Sequence, residues 1–229
     1  MIDANGKEQL FLKNPADNKS GFWHTYLVDD VLYNVSSTEK ETISIDSKES
    51  GNGWVHIVLN HTPKEGGSPM ARFDIEVWSH NTPVMLIRHK TTNLSDKIIK
   101  DMKLYNLMDF DVGGPSSYKD DIGIYEEESG IISACDDNPL CVAMTSKPRP
   151  DAWEIERPLR LKADGENRDL KKNLELGPRD IATALQWNHG NLDPNESKSV
   201  DIVLACATNL EEAKTLINDS WELFKTKIR

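Results

Sequence analysis

The stretch that decides the fold class is IATALQWNHGNLDPNESKSVDIVLAC, residues 181–206, in which two runs alternate apolar and polar side chains. The runs, residues 181–190 and 197–206, flank the segment NLDPNES, whose Asn, Asp and Pro residues favour a turn. Alternation with a period of two is typical of a β-strand that has one face in a core. We therefore predict a β-hairpin with its turn near Asp193 and Pro194. The expected register pairs Ile181 with Cys206, Thr183 with Leu204, Leu185 with Ile202, and Trp187 with Val200.

An amphipathic helix is predicted directly after these two strands, over residues 209–227. Thr208 and Glu211 have the spacing of a capping box, a common start of a helix. The apolar side chains that follow recur at steps of three and four, as they do in a helix with one buried face. They are Leu210, Ala213, Ile217, Trp221, Phe224 and Ile228.

The rest of the chain before residue 147 is a series of short β-prone runs separated by turn residues, from QLFLK (9–13) to LCVAMTS (140–146). No alternation of strands with helices appears. We predict a mainly β fold, an antiparallel multi-stranded β-sandwich of the supersandwich kind with one C-terminal amphipathic helix, as a single domain over residues 1–229. The charged, proline-containing stretch 147–180 is predicted as a long loop. It is a functional loop, a lid, an arm that docks a partner through Trp153, or a plain solvated excursion.

Composition excludes several classes of function. The net charge of −11 disfavours nucleic acid as a partner, and no apolar run is long enough to span a membrane. The N-terminus lacks the features of a signal peptide, so a cytoplasmic protein is expected. Three cysteines without CxxC spacing favour reduced thiols over a disulfide or a zinc site. The glycine-rich segments lie in expected hairpin turns with no helix after them, so no nucleotide cofactor is expected.

Three segments carry a resemblance to a known family: TTNLSDKIIKDMKLYNLMDFDVGG (91–114), GIYEEESGIISACDDNPLCVAMTS (123–146) and ALQWNHGNLDPNESKSVDIVLACATNLEEA (184–213). Together they resemble the large β-sandwich of the galactose-mutarotase-like superfamily. Within it, the sequence is most similar to the non-catalytic N-terminal sandwich of bacterial and archaeal glucoamylase-type glycoside hydrolases. The resemblance implies a carbohydrate-related role. In those hydrolases a helical catalytic barrel follows the sandwich, and since none follows here, a non-catalytic role is expected.

A candidate ligand site emerges when GWVHIVLNH (53–61) is folded against MARFDIEVW (70–78) about a turn near Gly66. The apolar residues then face the core, and the opposite face carries aromatic and charged side chains. The expected pairs are Trp54 with Trp78, His56 with Glu76, Val58 with Asp74, and Asn60 with Arg72, with Arg88 of the next strand near Asp74. Flat indole rings beside fixed donors and acceptors suit a neutral carbohydrate. The predicted site is Trp54, His56, Asp74, Glu76, Trp78 and Arg88.

Other interpretations remain open at this stage. The C-terminal helix or another layer could cover this face and make both tryptophans part of a core. The fragment Asn60-His61-Thr62 resembles the catalytic loop of mutarotases, which suggests a small sugar-modifying enzyme with His61 as its catalytic histidine and Glu76 or Asp74 as the base. A protein that docks on a carbohydrate-active partner, or a structural protein without a small ligand, is also consistent with the sequence.

Asp109, Asp111 and Asp120 surround a Gly-Gly pair and have part of the spacing of a calcium loop. A strand rather than a helix enters this loop, and its last carboxylate is Asp where Glu is usual. We therefore expect no metal site formed by these three residues.

Overall fold

The computed structural model describes residues 20–35, 40–79, 82–114, 117, 119–137, 139–161 and 169–227. The β-prone run at residues 9–13 lies outside them. The described residues form fourteen strands and one long helix, with a short 3-10 turn at Lys40–Thr42. These are β1 (Gly21–Val28), β2 (Val31–Val35), β3 (Ile43–Gly51), β4 (Trp54–His61), β5 (Ala71–Ser79), β6 (Val84–Asn93), β7 (Ile99–Phe110), β8 (Ile122–Glu126), β9 (Ile131–Cys135), β10 (Cys141–Lys147), β11 (Ala152–Glu156), β12 (Glu175–Leu176), β13 (Ile181–Leu192), β14 (Ser197–Ala207) and α1 (Leu210–Lys227).

The strands make two sheets, which confirms the mainly β fold class. A five-stranded sheet has the order β11-β13-β7-β1-β2, and a nine-stranded sheet has the order β12-β8-β9-β10-β14-β6-β5-β4-β3. Neighbouring strands run antiparallel in both sheets. The apolar faces of the sheets enclose a core whose largest buried side chains include Trp187, Phe110 and Leu104. Period-two alternation predicts the core-facing residues of β13 and β14 correctly.

The prediction that residues 181–206 form a hairpin is wrong, because the two strands do not pair with each other. β13 pairs with β7 and β11 in the five-stranded sheet, whereas β14 pairs with β6 and β10 in the nine-stranded sheet. The segment between them therefore crosses from one sheet to the other. The predicted apolar faces still meet in one core, but across the sandwich, through Ile181, Leu185, Trp187, Val200, Ile202, Leu204 and Cys206. The alternation of apolar and polar residues determines which face of a strand is buried, but it does not determine which other strand pairs with it.

The helix α1 confirms the predicted element and packs on the outer face of the nine-stranded sheet, against β6, β10 and β14. Its cap lies one residue later than predicted. The backbone N–H of Glu212 donates to Oδ1 of Asn209 over 2.9 Å, so Asn209 is the capping residue. The Glu212 carboxylate accepts hydrogen bonds from the backbone N–H and the hydroxyl of Thr208. Glu212 thus takes the role that the spacing assigned to Glu211.

Residues 147–180 are more regular than predicted, since they include β11 and β12. Trp153 lies in β11, not on an irregular loop, and is 8% exposed. Its ring stacks on Tyr125 with 3.7 Å between centroids, and its indole N–H donates to the Asn173 carbonyl over 3.0 Å. The interpretation of Trp153 as a docking residue is therefore wrong, because the apolar face of β11 places the ring in the main core.

The expectation of three reduced thiols is wrong for two of them. Cys135 and Cys141 are cross-strand partners in the β9–β10 hairpin and form a disulfide, with 4.2 Å between their Cα atoms. Cys206 is a free thiol, and burial raises its pKa to about 12. In the described part of the chain, no helix has the length and apolar character needed to cross a membrane.

Candidate functional site

A cavity of about 520 Å³ lies on the outer face of the nine-stranded sheet, where strands β3 to β6 meet the C-terminal end of α1. We call it the outer cleft. Its lining residues are Glu49, Trp54, His56, Glu76, Trp78, Arg88, Thr226 and Lys227. Five of the six predicted ligand residues therefore line one cavity. The sixth, Asp74, lies on the same face of β5, with its carboxylate 3.5 Å from Nε2 of His56.

The predicted register of the β4–β5 hairpin is confirmed. Trp54 pairs with Trp78, His56 with Glu76, and Val58 with Asp74. The position expected for Arg88 is wrong by one cross-strand pair, since Arg88 lies opposite Glu76 and Lys90 lies opposite Asp74. The turn near Gly66 determined the first pairing locally, whereas the turn between β5 and β6 was not specified by the sequence.

The two tryptophans have different roles. Trp54 is 38% exposed, and its indole lies over Gly51, where an added Cβ would come within 2.2 Å of Nε1. Trp78 is half-buried and meets the Phe224 ring edge to face, with 5.8 Å between centroids. The helix therefore covers Trp78 in part and leaves Trp54 open. Trp54 is the aromatic platform of the outer cleft, and Trp78 is its wall.

The charges that line the outer cleft balance one another. Glu49 and Glu76 carry negative charge, and Arg88 and Lys227 carry positive charge. The Arg88 guanidinium donates two hydrogen bonds of 2.7 Å to the carboxylate of Asp201 on β14. This bidentate pair raises the pKa of Arg88 and holds the guanidinium in place. A rigid, charge-balanced wall offers hydrogen bonds to hydroxyl groups without selecting for an ion.

The structure does not bring His61 and Glu76 together. His61 pairs with Ala71 and lies on the core face of β4, whereas Glu76 lies on the outer face of β5. His61 is fully buried, and its Nδ1 lies 2.5 Å from the hydroxyl of Tyr26. Burial lowers its pKa to about 4. An acid and a base on opposite faces of one sheet cannot reach the same sugar, because both must lie within hydrogen-bond distance of it.

Several residues of the outer cleft were missed from the sequence. Glu49 pairs with His56 in the β3–β4 hairpin, and the Gly-rich turn at residues 51–53 was a signal that could have revealed it. Asp201 and Lys227 come from distant segments. No local pattern connects them to Arg88 or Trp54.

Comparisons with known proteins place the fold. No family model matches the chain, and no curated protein does. Among solved structures, a GalM/aldose epimerase homologue from C. elegans superposes with a TM-score of 0.57 at 10% identity, over 91% of each chain. The chain therefore shares the sandwich fold of this aldose epimerase homologue.

Two larger proteins contain a similar sandwich. One is described as a kojibiose phosphorylase from the human microbiome and the other as a polysaccharide lyase, each with a TM-score of 0.50 and 10% identity. These two matches cover 90% and 86% of this chain, but only 25% of the phosphorylase chain and 27% of the lyase chain. At such low identity the likeness establishes a shared fold alone, because one fold hosts many unrelated functions.

Proposed function

We propose that this chain binds a neutral carbohydrate in the outer cleft and does not convert it. The observation that carries the proposal is Trp54, an aromatic ring that remains 38% exposed beside a cavity lined with hydrogen-bonding groups. An aromatic face beside polar groups suits the apolar C–H face and the hydroxyls of a sugar.

The size and charge of the outer cleft support this class of ligand. Its volume of about 520 Å³ falls within the usual range for small-molecule sites, roughly 300–1,000 Å³. The lining has two carboxylates and two cations, and the whole chain carries a net charge of −11. An anionic ligand would be repelled by the chain as a whole, so a hydroxyl-rich neutral ligand fits better.

The proposal is tested by measuring the retention of the purified chain on an array of neutral glycans, followed by calorimetry with the strongest ligand. Trp54→Ala should abolish retention while leaving the melting temperature nearly unchanged, because the ring makes an open platform. Ile124→Ala is the matched control, since Ile124 is also 38% exposed and lies in β8 of the same sheet, outside the outer cleft. It should bind as the wild type does.

Two outcomes would overturn the proposal. Failure of the wild type to retain any neutral glycan would exclude the ligand class, and full retention by Trp54→Ala would place the site elsewhere. The same preparation distinguishes the other functions. Faster anomer exchange than in buffer alone would indicate a mutarotase-like enzyme. A stable oligomer that responds to no sugar would indicate a structural protein.

The enzymatic alternative is supported by the fold likeness to the aldose epimerase homologue. It has less support from the site, because the proposed histidine His61 is separated from Glu76 by the sheet itself. The docking of a carbohydrate-active protein on this face would require the same open platform, so Trp54→Ala also tests it.

A further inference from the structure

A second cavity, of about 390 Å³, lies where α1 meets β9, β10 and the turns that follow β8 and β10. We call it the basic cavity, because three cations line it: Lys147, Arg149 and Lys214. None of the acidic residues that the structure describes is part of its lining. It shares no lining residue with the outer cleft, which lies over β3 to β6. Its volume falls within the usual range for small-molecule sites, roughly 300–1,000 Å³.

The charge of the basic cavity is opposite to that of the chain. The sequence has 38 acidic and 27 basic residues, so a lining with three cations and no carboxylate departs from the average surface. Salt screens exposed charges beyond about 8 Å at physiological ionic strength. A ligand inside the cavity therefore interacts mainly with the charges of the lining and only weakly with the distant acidic surface.

Arg149 is held in place by neutral groups. Its Nη1 and Nη2 donate hydrogen bonds to the backbone carbonyls of Glu127 and Glu128, over 3.3 and 2.6 Å. Its Cγ and Cδ pack over Gly130, 3.5 Å from where a Cβ would lie. Among the described residues the guanidinium forms no ion pair. Its position is thus fixed while its charge, and three of its five N–H donors, stay available to a ligand.

Lys147 has the same property. Its Nζ lies over the ring of Trp221, 4.2 Å from the centroid. A cation–π contact orients an ammonium group without neutralising it. Glu222 senses this charge, but Lys225, which donates to Glu222 over 2.7 Å, lowers the pKa of that carboxyl more than Lys147 does. Within the described part of the chain, Lys147 forms no ion pair of its own.

Lys214 differs from the other two cations, because its charge is already compensated. Its Nζ lies 2.9 Å from a carboxylate oxygen of Glu126 and 3.2 Å from one of Glu211. It therefore forms part of the wall of the basic cavity. The uncompensated positive charge comes from Lys147 and Arg149.

The inner surface of the basic cavity is apolar. Ile131 is 6% exposed and Ile217 is 1% exposed, and both belong to the hydrophobic cluster beneath α1. Lys147 and Arg149, in contrast, are exposed. The cavity thus has an apolar floor and a cationic mouth. A bare inorganic anion would leave this floor uncovered, whereas an anion attached to an apolar body would cover it.

We propose that the basic cavity binds a small organic oxyanion, a carboxylate or a phosphate monoester. The charged group accepts hydrogen bonds from Lys147 and Arg149, and the apolar body lies against Ile131 and Ile217. Guanidinium and ammonium groups suit both kinds of oxyanion, because their N–H donors form charge-assisted hydrogen bonds with the oxygens. This ligand differs from the neutral one proposed for the outer cleft, and neither site depends on the other.

The experiment is a calorimetric titration of the full chain with three probes that share one aromatic ring: phenyl phosphate, benzoate and benzyl alcohol. The two charged probes should bind saturably, with one molecule per chain, and the tighter one identifies the preferred oxyanion. Benzyl alcohol should not bind. Arg149→Gln and Lys147→Gln should each weaken binding about tenfold or more, since each removes a charge-assisted hydrogen bond. Both side chains are exposed, so both variants should melt nearly as the wild type does.

Two control variants separate this site from general charge and from the outer cleft. Lys198→Gln removes an exposed positive charge of β14 outside the basic cavity, and Trp54→Ala removes the platform of the outer cleft. Both should bind the charged probes as the wild type does. The proposal is overturned if neither charged probe binds saturably, if benzyl alcohol binds as tightly as they do, or if Arg149→Gln and Lys147→Gln both retain the wild-type affinity. Equal weakening by Lys198→Gln would also overturn it.

Discussion

The buried histidine His61 should make the stability of this protein depend on acid in a way that can be calculated. His61 is fully buried, and burial lowers its pKa from 6.5 to about 4. In the unfolded chain the same imidazole takes up a proton near pH 6.5, as an ordinary histidine does. Between pH 6.5 and about pH 4, His61 therefore stays neutral in the folded state but is protonated in the unfolded state.

The sign follows from this difference. Above pH 6.5 His61 is neutral in both states and its contribution to stability is complete. As the pH falls from 6.5 towards 4, only the unfolded state gains the proton, so the free energy of unfolding decreases. One pKa unit corresponds to about 1.36 kcal/mol. At pH 5 the gap amounts to about 1.5 units, which makes the expected loss about 2 kcal/mol.

Other groups titrate over the same range, including His24 and His89, whose Nε2 atoms lie 3.2 Å apart and whose pKa values burial also lowers. The assay is therefore a difference measurement. The free energy of unfolding of the wild type and of His61→Gln is obtained from urea titrations at pH 7.5 and pH 5. The contributions of the titrating groups that both proteins share largely cancel in this difference. The difference in the free energy of unfolding between the wild type and His61→Gln should be about 2 kcal/mol smaller at pH 5 than at pH 7.5.

A control separates titration from hydrogen bonding. Tyr26→Phe removes the hydroxyl that contacts Nδ1 of His61 and leaves the imidazole in place. It should lower stability by about 0.5–1.5 kcal/mol at pH 7.5, as the loss of a typical hydrogen bond does. It should keep the acid dependence of the wild type. A difference between wild type and His61→Gln that is the same at both pH values would refute the reasoning.

Two further predictions concern the packing of the sandwich. Truncation after Ala207 removes α1 and with it the buried side chains of Ile217 and Phe224. Because burial of each such side chain contributes about 1.5–3 kcal/mol, the truncated chain should unfold at a clearly lower temperature. An unchanged melting curve would show that α1 does not pack on the sheet. In Gly123→Ala, the new Cβ would lie 2.6 Å from Cγ2 of Ile155 in the core between the sheets. It should cost about 1–3 kcal/mol in a urea titration, and a neutral result would mean that β8 and β11 are less closely packed than the structure shows.

The sequence by itself determined the local features of this protein. Alternation predicted the core faces of β13 and β14. Apolar residues at steps of three and four predicted α1 to within one residue of its start. The register of the β4–β5 hairpin also followed from the sequence, because a one-residue slip would have moved Phe73 and its apolar neighbours out of the core. That register is sufficient to place Trp54 directly opposite Trp78 on the outer face of the sheet.

Only the tertiary structure decided which distant segments meet. It separated β13 from β14 into different sheets, paired Arg88 with Asp201, and brought Asp180 to Asp109. It also joined Cys135 to Cys141, which the sequence had left as reduced thiols. The physical reason is that alternation and turn chemistry act over a few residues, whereas the choice between equally apolar strands depends on how the whole core closes. The same closure left Trp54 open to solvent and covered part of Trp78 with α1.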